Sequence, residues 1–236
     1  MSDMTELKAD LFQLLEEEGA QLMGVANLSG ILEGEMKTGI SVAVPVSKNI
    51  VKDLQTAPAR EYYDTYYALN AKLDKIVVCG AEFLQKKGYQ AYANTTKVVK
   101  QNEKWCTPLP HKTVATRAGL GWIGKNCLLV TKKYGSGVRL SSLITNAPLP
   151  ADVPVNESHC GGCAVCVRKC PAQALTGVLW NTETKREELF RKEECKKMQI
   201  RRMKQATGIE TDLCGLCFAV CPFTQRYINE EQGNER

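Results

Sequence analysis

"CGGCAVCVRKCP", residues 160–171, decides how the rest of this sequence is read. It sets Cys160, Cys163, Cys166 and Cys170 in the pattern C-x-x-C-x-x-C-x-x-x-C-P, and Cys214, Cys217 and Cys221, followed by Pro222, repeat its second half. Two-residue gaps let three thiolates converge on one cubane, while the cysteine just before the proline ligates the other cubane of a pair. On that logic one [4Fe-4S] cluster takes Cys160, Cys163, Cys166 and Cys221. The second takes Cys170, Cys214 and Cys217 and is one ligand short. Cys195 is the candidate for that place, because a helix between it and Cys214 can fold the chain back. C-x-x-C pairs also build tetrahedral zinc sites, but two runs that both close on Cys-Pro favour clusters.

A chain of 236 residues with 44% hydrophobic content has material for one large domain, or a domain with an appendage. It starts on "MSDMTELKADLFQLLEEEG", acidic and amphipathic rather than signal-like, and contains no run of about 20 apolar residues. A cytoplasmic protein without a membrane span is expected, and eleven cysteines there predict metal, cluster or redox chemistry rather than disulfides. Between Lys185 and Lys204, nine basic and four acidic residues give an excess equal to the +5 of the whole chain. Interspersed signs read as a solvated helix rather than a nucleic-acid surface; docking of an acidic electron donor is the other use.

Leu7, Leu11, Leu14 and Leu15 recur at helical spacing, and Tyr62, Tyr66, Leu69, Leu73, Ile76 and Val77 mark one face of a helix over 60–87. "QLMGVANL", "GISVAVPVS" and "GYQAYANT" read as strands, so helices and strands alternate in layers. "CLLVT" and "VRLSSLIT" flank the turn signal "KKYGSG" and predict a hairpin. Prolines at 146–158 mark a seam. The expected organisation is an α/β cofactor-binding domain over 1–150, a ferredoxin-like module with two clusters over 151–228 and a polar tail over 229–236. Two clusters form an electron path, and the first domain is the candidate receiver.

"GLGWIGKN", residues 119–126, satisfies both G-x-G-x-x-G and G-x-x-x-x-G-K. Neither nucleotide reading holds. A Rossmann glycine turn follows a strand and precedes a ribose-binding acid, whereas "HKTVATRA" reads as a short helix and residues 125–150 contain no Asp or Glu. A P-loop needs Ser or Thr after its lysine, and here that residue is Asn126. Cys79 and Cys127 read as small hydrophobes, Cys106 as a thiol that a substrate can reach, and His159 as a group that tunes a nearby cluster.

"AGLGWIGKN" (118–126), "YGSGVRLSSLIT" (134–145), the cysteine run to Leu175, the isolated Cys195 and "CGLCFAVCPF" (214–223) together resemble epoxyqueuosine reductases. The resemblance implies an α+β protein in which a nitroreductase-like domain, distantly similar to reductive dehalogenases, precedes a bacterial ferredoxin-like module with two clusters. It also implies cobalamin, with FMN as the alternative, bound by a loop comprising Gly119, Gly121, Trp122, Gly124, Lys125 and Asn126, with Arg139 as a polar anchor. Electrons would come from an external low-potential donor of ferredoxin or flavodoxin type. The family's proton-donating aspartate corresponds to Trp105 and a following glutamate to His111, which makes His111 the candidate catalytic acid. The chain ends soon after the second cysteine run, where the family continues into a helical-repeat domain that holds tRNA. A small-molecule substrate or a corrinoid protein partner is therefore expected, not a nucleic acid. The alternative function is a redox activator serving the corrinoid or flavin of a partner protein.

Overall fold

Helical and strand periodicities materialise where the apolar residues place them in the computed structural model, which describes residues 2–103 and 106–230. The elements are α1 (Ser2–Glu17), β1 (Leu22–Asn27), β2 (Thr38–Pro45), α2 (Lys48–Asp53), α3 (Arg60–Lys86), β3 (Ala91–Ala93), α4 (His111–Arg117), β4 (Trp122–Ile123), β5 (Leu129–Val130) and β6 (Val138–Thr145). In the cysteine region follow α5 (Val165–Lys169), α6 (Arg186–Leu189), α7 (Lys192–Thr207), α8 (Leu216–Ala219) and α9 (Pro222–Asn229). The chain forms two compact units that do not follow the sequence in order. Met1–Val44, Ala68–Gly121 and Arg139–Val155 make the first; Pro45–Tyr67, Trp122–Val138 and Asn156–Arg236 make the second.

The first unit is organised around a four-stranded sheet of order β1-β2-β6-β3. β1 and β2 are antiparallel with Leu22 opposite Ala43, and β3 and β6 are antiparallel with Ala91 opposite Thr145. Leu7, Leu11 and Leu15 of α1 join Ile76, Val77 and Leu84 of α3, Val25, Ile40, Val42 and Leu143 in one buried cluster. Gly80 lets α3 approach closely, since a Cβ there would stand 2.8 Å from Leu143 and 3.0 Å from Leu15. The proline-containing seam is pinned along this unit as far as Val155. The Asp152 carboxylate accepts from Lys8 Nζ at 2.7 Å and from the Val25 amide at 2.7 Å, and the Val155 amide donates to the Thr116 carbonyl. Prolines remove local ladder partners but leave such long-range bonds available.

In the second unit, two stretches from earlier in the sequence, 45–67 and 122–138, are built into the cysteine region. Leu54 packs where Gly215 has no side chain, the Tyr62 ring meets Phe218 edge-on at 6.2 Å, and Tyr227 donates its hydroxyl to the Val46 carbonyl at 3.0 Å. The Ser136 amide donates to Thr224 Oγ1 at 2.9 Å. The expected hairpin across "KKYGSG" does not form. A bridge between Thr131 and Gly135 closes that turn, β5 pairs with β4, and β6 takes its place in the large sheet. The glycine-rich stretch itself makes the hairpin turn, because Trp122-Ile123 and Leu129-Val130 are the short apolar pairs in register. The basic stretch is helical but broken at Phe190 and Arg191 into α6 and α7. No helix among the described residues is long and apolar enough to cross a membrane.

Leu11 is fully buried between α1 and α3. Leu11→Ala is expected to cost about 2–5 kcal/mol, read as a lower denaturant midpoint with an unchanged slope in chemical unfolding.

Candidate functional site

The cysteine spacing becomes geometry through two short helices. In the first run the Cys163 amide donates to the Cys160 carbonyl at 3.1 Å, α5 carries Cys166, and Cys170 ends that helix with Pro171 behind it. In the second run Gly215, with φ of 76°, turns the chain into α8, which carries Cys217, and Cys221 caps α9 with Pro222 at its first position. α5 and α8 pack on each other, while Cys195 enters from the first turn of α7.

The thiols of the two runs and Cys195 lie close enough to act on one another. Burial, then the neighbouring thiols of Cys221, Cys160 and Cys163, push the Cys166 thiol up to about 11. Burial, then Cys170 and Cys214, push Cys195 up to about 11, with Cys127 and Asp212 adding to the rise. Cys217 is raised well above its ordinary value by burial, then by Cys214, Cys195, Cys166 and Cys170. Desolvation and like charge both oppose ionisation, so these thiols stay protonated until a cationic centre takes their protons' place. Among the described residues no three Cys, His, Asp or Glu gather as one metal ion would require; a cubane instead spreads four thiolates over four irons. The donor chemistry and the spacing of the two runs fit two such clusters.

The residues of the glycine-rich loop are engaged within the protein. In the first unit Gly119, at φ of 73°, follows the end of α4, and a Cβ on it would stand 2.6 Å from the Val153 carbonyl oxygen. Gly121 is buried. In the second unit Trp122 is 2% exposed, stacked on the His159 ring at 4.8 Å and set edge-on to Phe223 at 4.9 Å. Buried Lys125 donates from Nζ to the carbonyls of Gly161 at 2.8 Å and Cys163 at 3.0 Å. Asn126 donates to Ser136 Oγ at 2.9 Å and accepts from the Leu128 amide at 3.1 Å, while a Cβ on Gly124 would stand 2.6 Å from Val130. The chain between Trp122 and Asn126 therefore braces the first cysteine run, and the side chains named for a corrinoid contact have protein partners.

In the first unit the structure brings His111 and Arg139 together. His111 opens α4, its Nδ1 lies 2.9 Å from Ser142 Oγ on β6, and Asn94 Nδ2 donates to the same hydroxyl at 3.3 Å. Arg139 donates from Nε and Nη2 to Asn70 Oδ1 on α3 at 3.2 and 2.9 Å. Burial, then the Arg139 charge, lower the His111 imidazolium to about 4 against a smaller opposing effect of Asp74. The imidazole is neutral at pH 7, which gives it a hydrogen-bonding role and removes it as a ready acid there. Asn70, Asp74, Asn94 and Ser142 carry no motif, and nothing in the sequence announced them. Arg117 donates to the Asn27 carbonyl. Cys106 is half-buried, with its amide on Asn102 Oδ1. Cys127 is buried in the second unit at a φ of 58°, and Trp105 lies outside the described residues.

The family described as "4Fe-4S double cluster binding domain" matches residues 159–224. The epoxyqueuosine reductase of Bacillus subtilis is 30% identical over 192 residues, covering 71% of this chain and 46% of that relative. An epoxyqueuosine reductase crystallised with an epoxyqueuosine-modified tRNA-Tyr stem loop superposes with a TM-score of 0.61 at 23% identity, over 94% of this chain and 66% of that one. A reductive dehalogenase whose structure suggested a mechanism for B12-dependent dehalogenation gives 0.70 at 16% identity, over 90% and 31%. The chain is epoxyqueuosine reductase-like in sequence, and its mixed helix and sheet fold is shared with both groups of structures. It spans less than half the length of the curated relatives it matches.

The environment of His111 predicts a pH dependence. Its folded value is depressed to about 4 from 6.5, so the unfolded chain binds more protons between those values and stability falls as pH drops through that window. His111→Gln is expected to remove that part of the slope, and NMR titration of the wild-type imidazole to give a midpoint near 4 rather than 6.5.

Proposed function

We propose that this chain is an iron–sulfur, cobalamin-type reductase that takes electrons from an external low-potential donor and delivers them to a small-molecule substrate. The observation that carries the reading is the packing of α5 on α8, which brings the two cysteine runs together, supported by the match of residues 159–224 to a double-cluster family. Cys160, Cys163, Cys166 and Cys221 hold one [4Fe-4S] cluster; Cys170, Cys195, Cys214 and Cys217 hold the other. When bound, the clusters supply one-electron transfer and a corrinoid supplies the low-valent centre that reduces substrate. The first unit, read as a nitroreductase-like cofactor domain, contributes polar positioning: Arg139 holds its guanidinium on Asn70, and His111, kept neutral, offers a ring nitrogen as donor or acceptor. The cysteine module is taken as 151–228, with Lys125 tying its first loop in place.

A second reading, a redox activator that passes electrons to the corrinoid or flavin of a partner protein, is favoured by one observation. Trp122, Lys125 and Asn126, the loop side chains expected at a corrinoid, are all engaged by protein groups. Anaerobic purification followed by addition of cobalamin separates the two. A base-off spectrum with about one cobalt per chain supports the reductase, whereas cluster-replete protein that takes up neither cobalamin nor FMN supports the activator.

The ligand sets predict iron counts. Wild-type protein is expected to carry about eight irons and eight sulfides per chain, and Cys195→Ser about four, since loss of one thiolate opens one cubane. Cys127→Ser is expected to keep about eight. If instead Cys127→Ser halves the iron while Cys195→Ser does not, the fourth ligand is the wrong one of this neighbouring pair.

A further inference from the structure

Trp122 is the buried polar side chain whose environment is least explained by the fold. Its indole Nε1 is completely buried and has no hydrogen-bond partner. A buried N–H without an acceptor costs roughly 1–3 kcal/mol, so such donors are rare. Its surroundings say which acceptor suits it. The ring is clamped between His159, which precedes Cys160, and Phe223, which follows Cys221 and Pro222. Cys160 and Cys221 are two of the three thiols that act on Cys166. Three residues along the same hairpin, Lys125 places a buried ammonium on the carbonyls of Gly161 and Cys163, inside the loop that carries two of those thiols.

We propose that Trp122 and Lys125 set the reduction potential of the cluster held by Cys160, Cys163, Cys166 and Cys221, Trp122 by donating its indole N–H to a sulfur of that cluster and Lys125 by its positive charge. The inference rests on the two-cluster reading above. Reduction adds one electron, and hence one negative charge, to a cluster in a poorly hydrated site. Hydrogen bonds to sulfur and nearby cations stabilise the reduced form more than the oxidised one and raise the potential. Both groups act by positioning and electrostatics; neither binds iron. The hairpin makes the pair rigid, since Trp122 pairs with Val130 and Ile123 with Leu129.

The test is an anaerobic dithionite titration of the iron-replete protein followed by EPR, on wild type, Trp122→Phe, Lys125→Met and Lys125→Arg. Trp122→Phe keeps an aromatic ring on His159 and Phe223 but deletes the N–H. The midpoint of one cluster is expected to fall by about 59 mV, a tenfold change in a one-electron equilibrium, while the other cluster stays put. Lys125→Met should lower the same midpoint and Lys125→Arg restore most of it. Wild-type protein exchanged into D2O should show, by pulsed EPR, a strongly coupled exchangeable deuteron at that cluster. This measurement decides the matter even if Trp122→Phe fails to assemble. Iron-replete Trp122→Phe with both midpoints unchanged, or no coupled deuteron in the wild type, overturns the role of Trp122. Equal midpoints in wild type and Lys125→Met overturn that of Lys125. A protein that binds no iron overturns the two-cluster reading itself.

Discussion

Four thiols cannot all be ionised while buried beside one another unless positive charge lies among them. In the second unit, burial and mutual repulsion drive Cys166, Cys195 and Cys217 upward together, and the local architecture supports that arrangement. Short helices α5 and α8 bring the two C-x-x-C runs into contact, prolines after Cys170 and Cys221 punctuate each run, and α7 brings Cys195 near Cys170 and Cys214. Metal uptake and proton release are then one event.

Much of what surrounds the thiols comes from far earlier in the sequence. The stretch 45–67 supplies Leu54 and Tyr62, and 122–138 supplies Trp122, Lys125 and Ser136, all packed or bonded within the cysteine region's unit. The glycine-rich loop owes its glycines to protein packing. Gly119 turns the chain at the end of α4, and Gly124 fits against Val130 in a tight hairpin. A pattern shared with phosphate-binding loops therefore arises here from the same property of glycine, close backbone approach and positive φ, applied to a different neighbour.

The first unit offers a different chemistry. His111, Arg139, Asn70, Asn94 and Ser142 come from α4, β6, α3 and the segment after β3; Ser142 is hydrogen-bonded to His111 and Asn94, and Arg139 to Asn70, with the Arg139 charge acting on His111. The arginine charge and burial keep the histidine neutral, which alters its expected role. A side chain chosen for an unperturbed value near neutrality lies in an environment that moves it out of that range.

The sequence alone determined the features whose physics is local. Cysteine spacing sets which thiols can reach a common cubane, and the leucine periods of α1 and α3 set which face is buried. The start of α4 after Pro110 also follows from neighbours in the chain. Only the tertiary structure decided the partners of "GLGWIGKN", the pairing of β5 with β4 instead of β6, and the division of the chain into interleaved units. It alone placed Trp122 on His159 and Lys125 on the Gly161 carbonyl. Local propensity fixes what a segment can become, whereas burial and hydrogen bonding between residues far apart in sequence choose among its possible partners. No spacing rule records those choices.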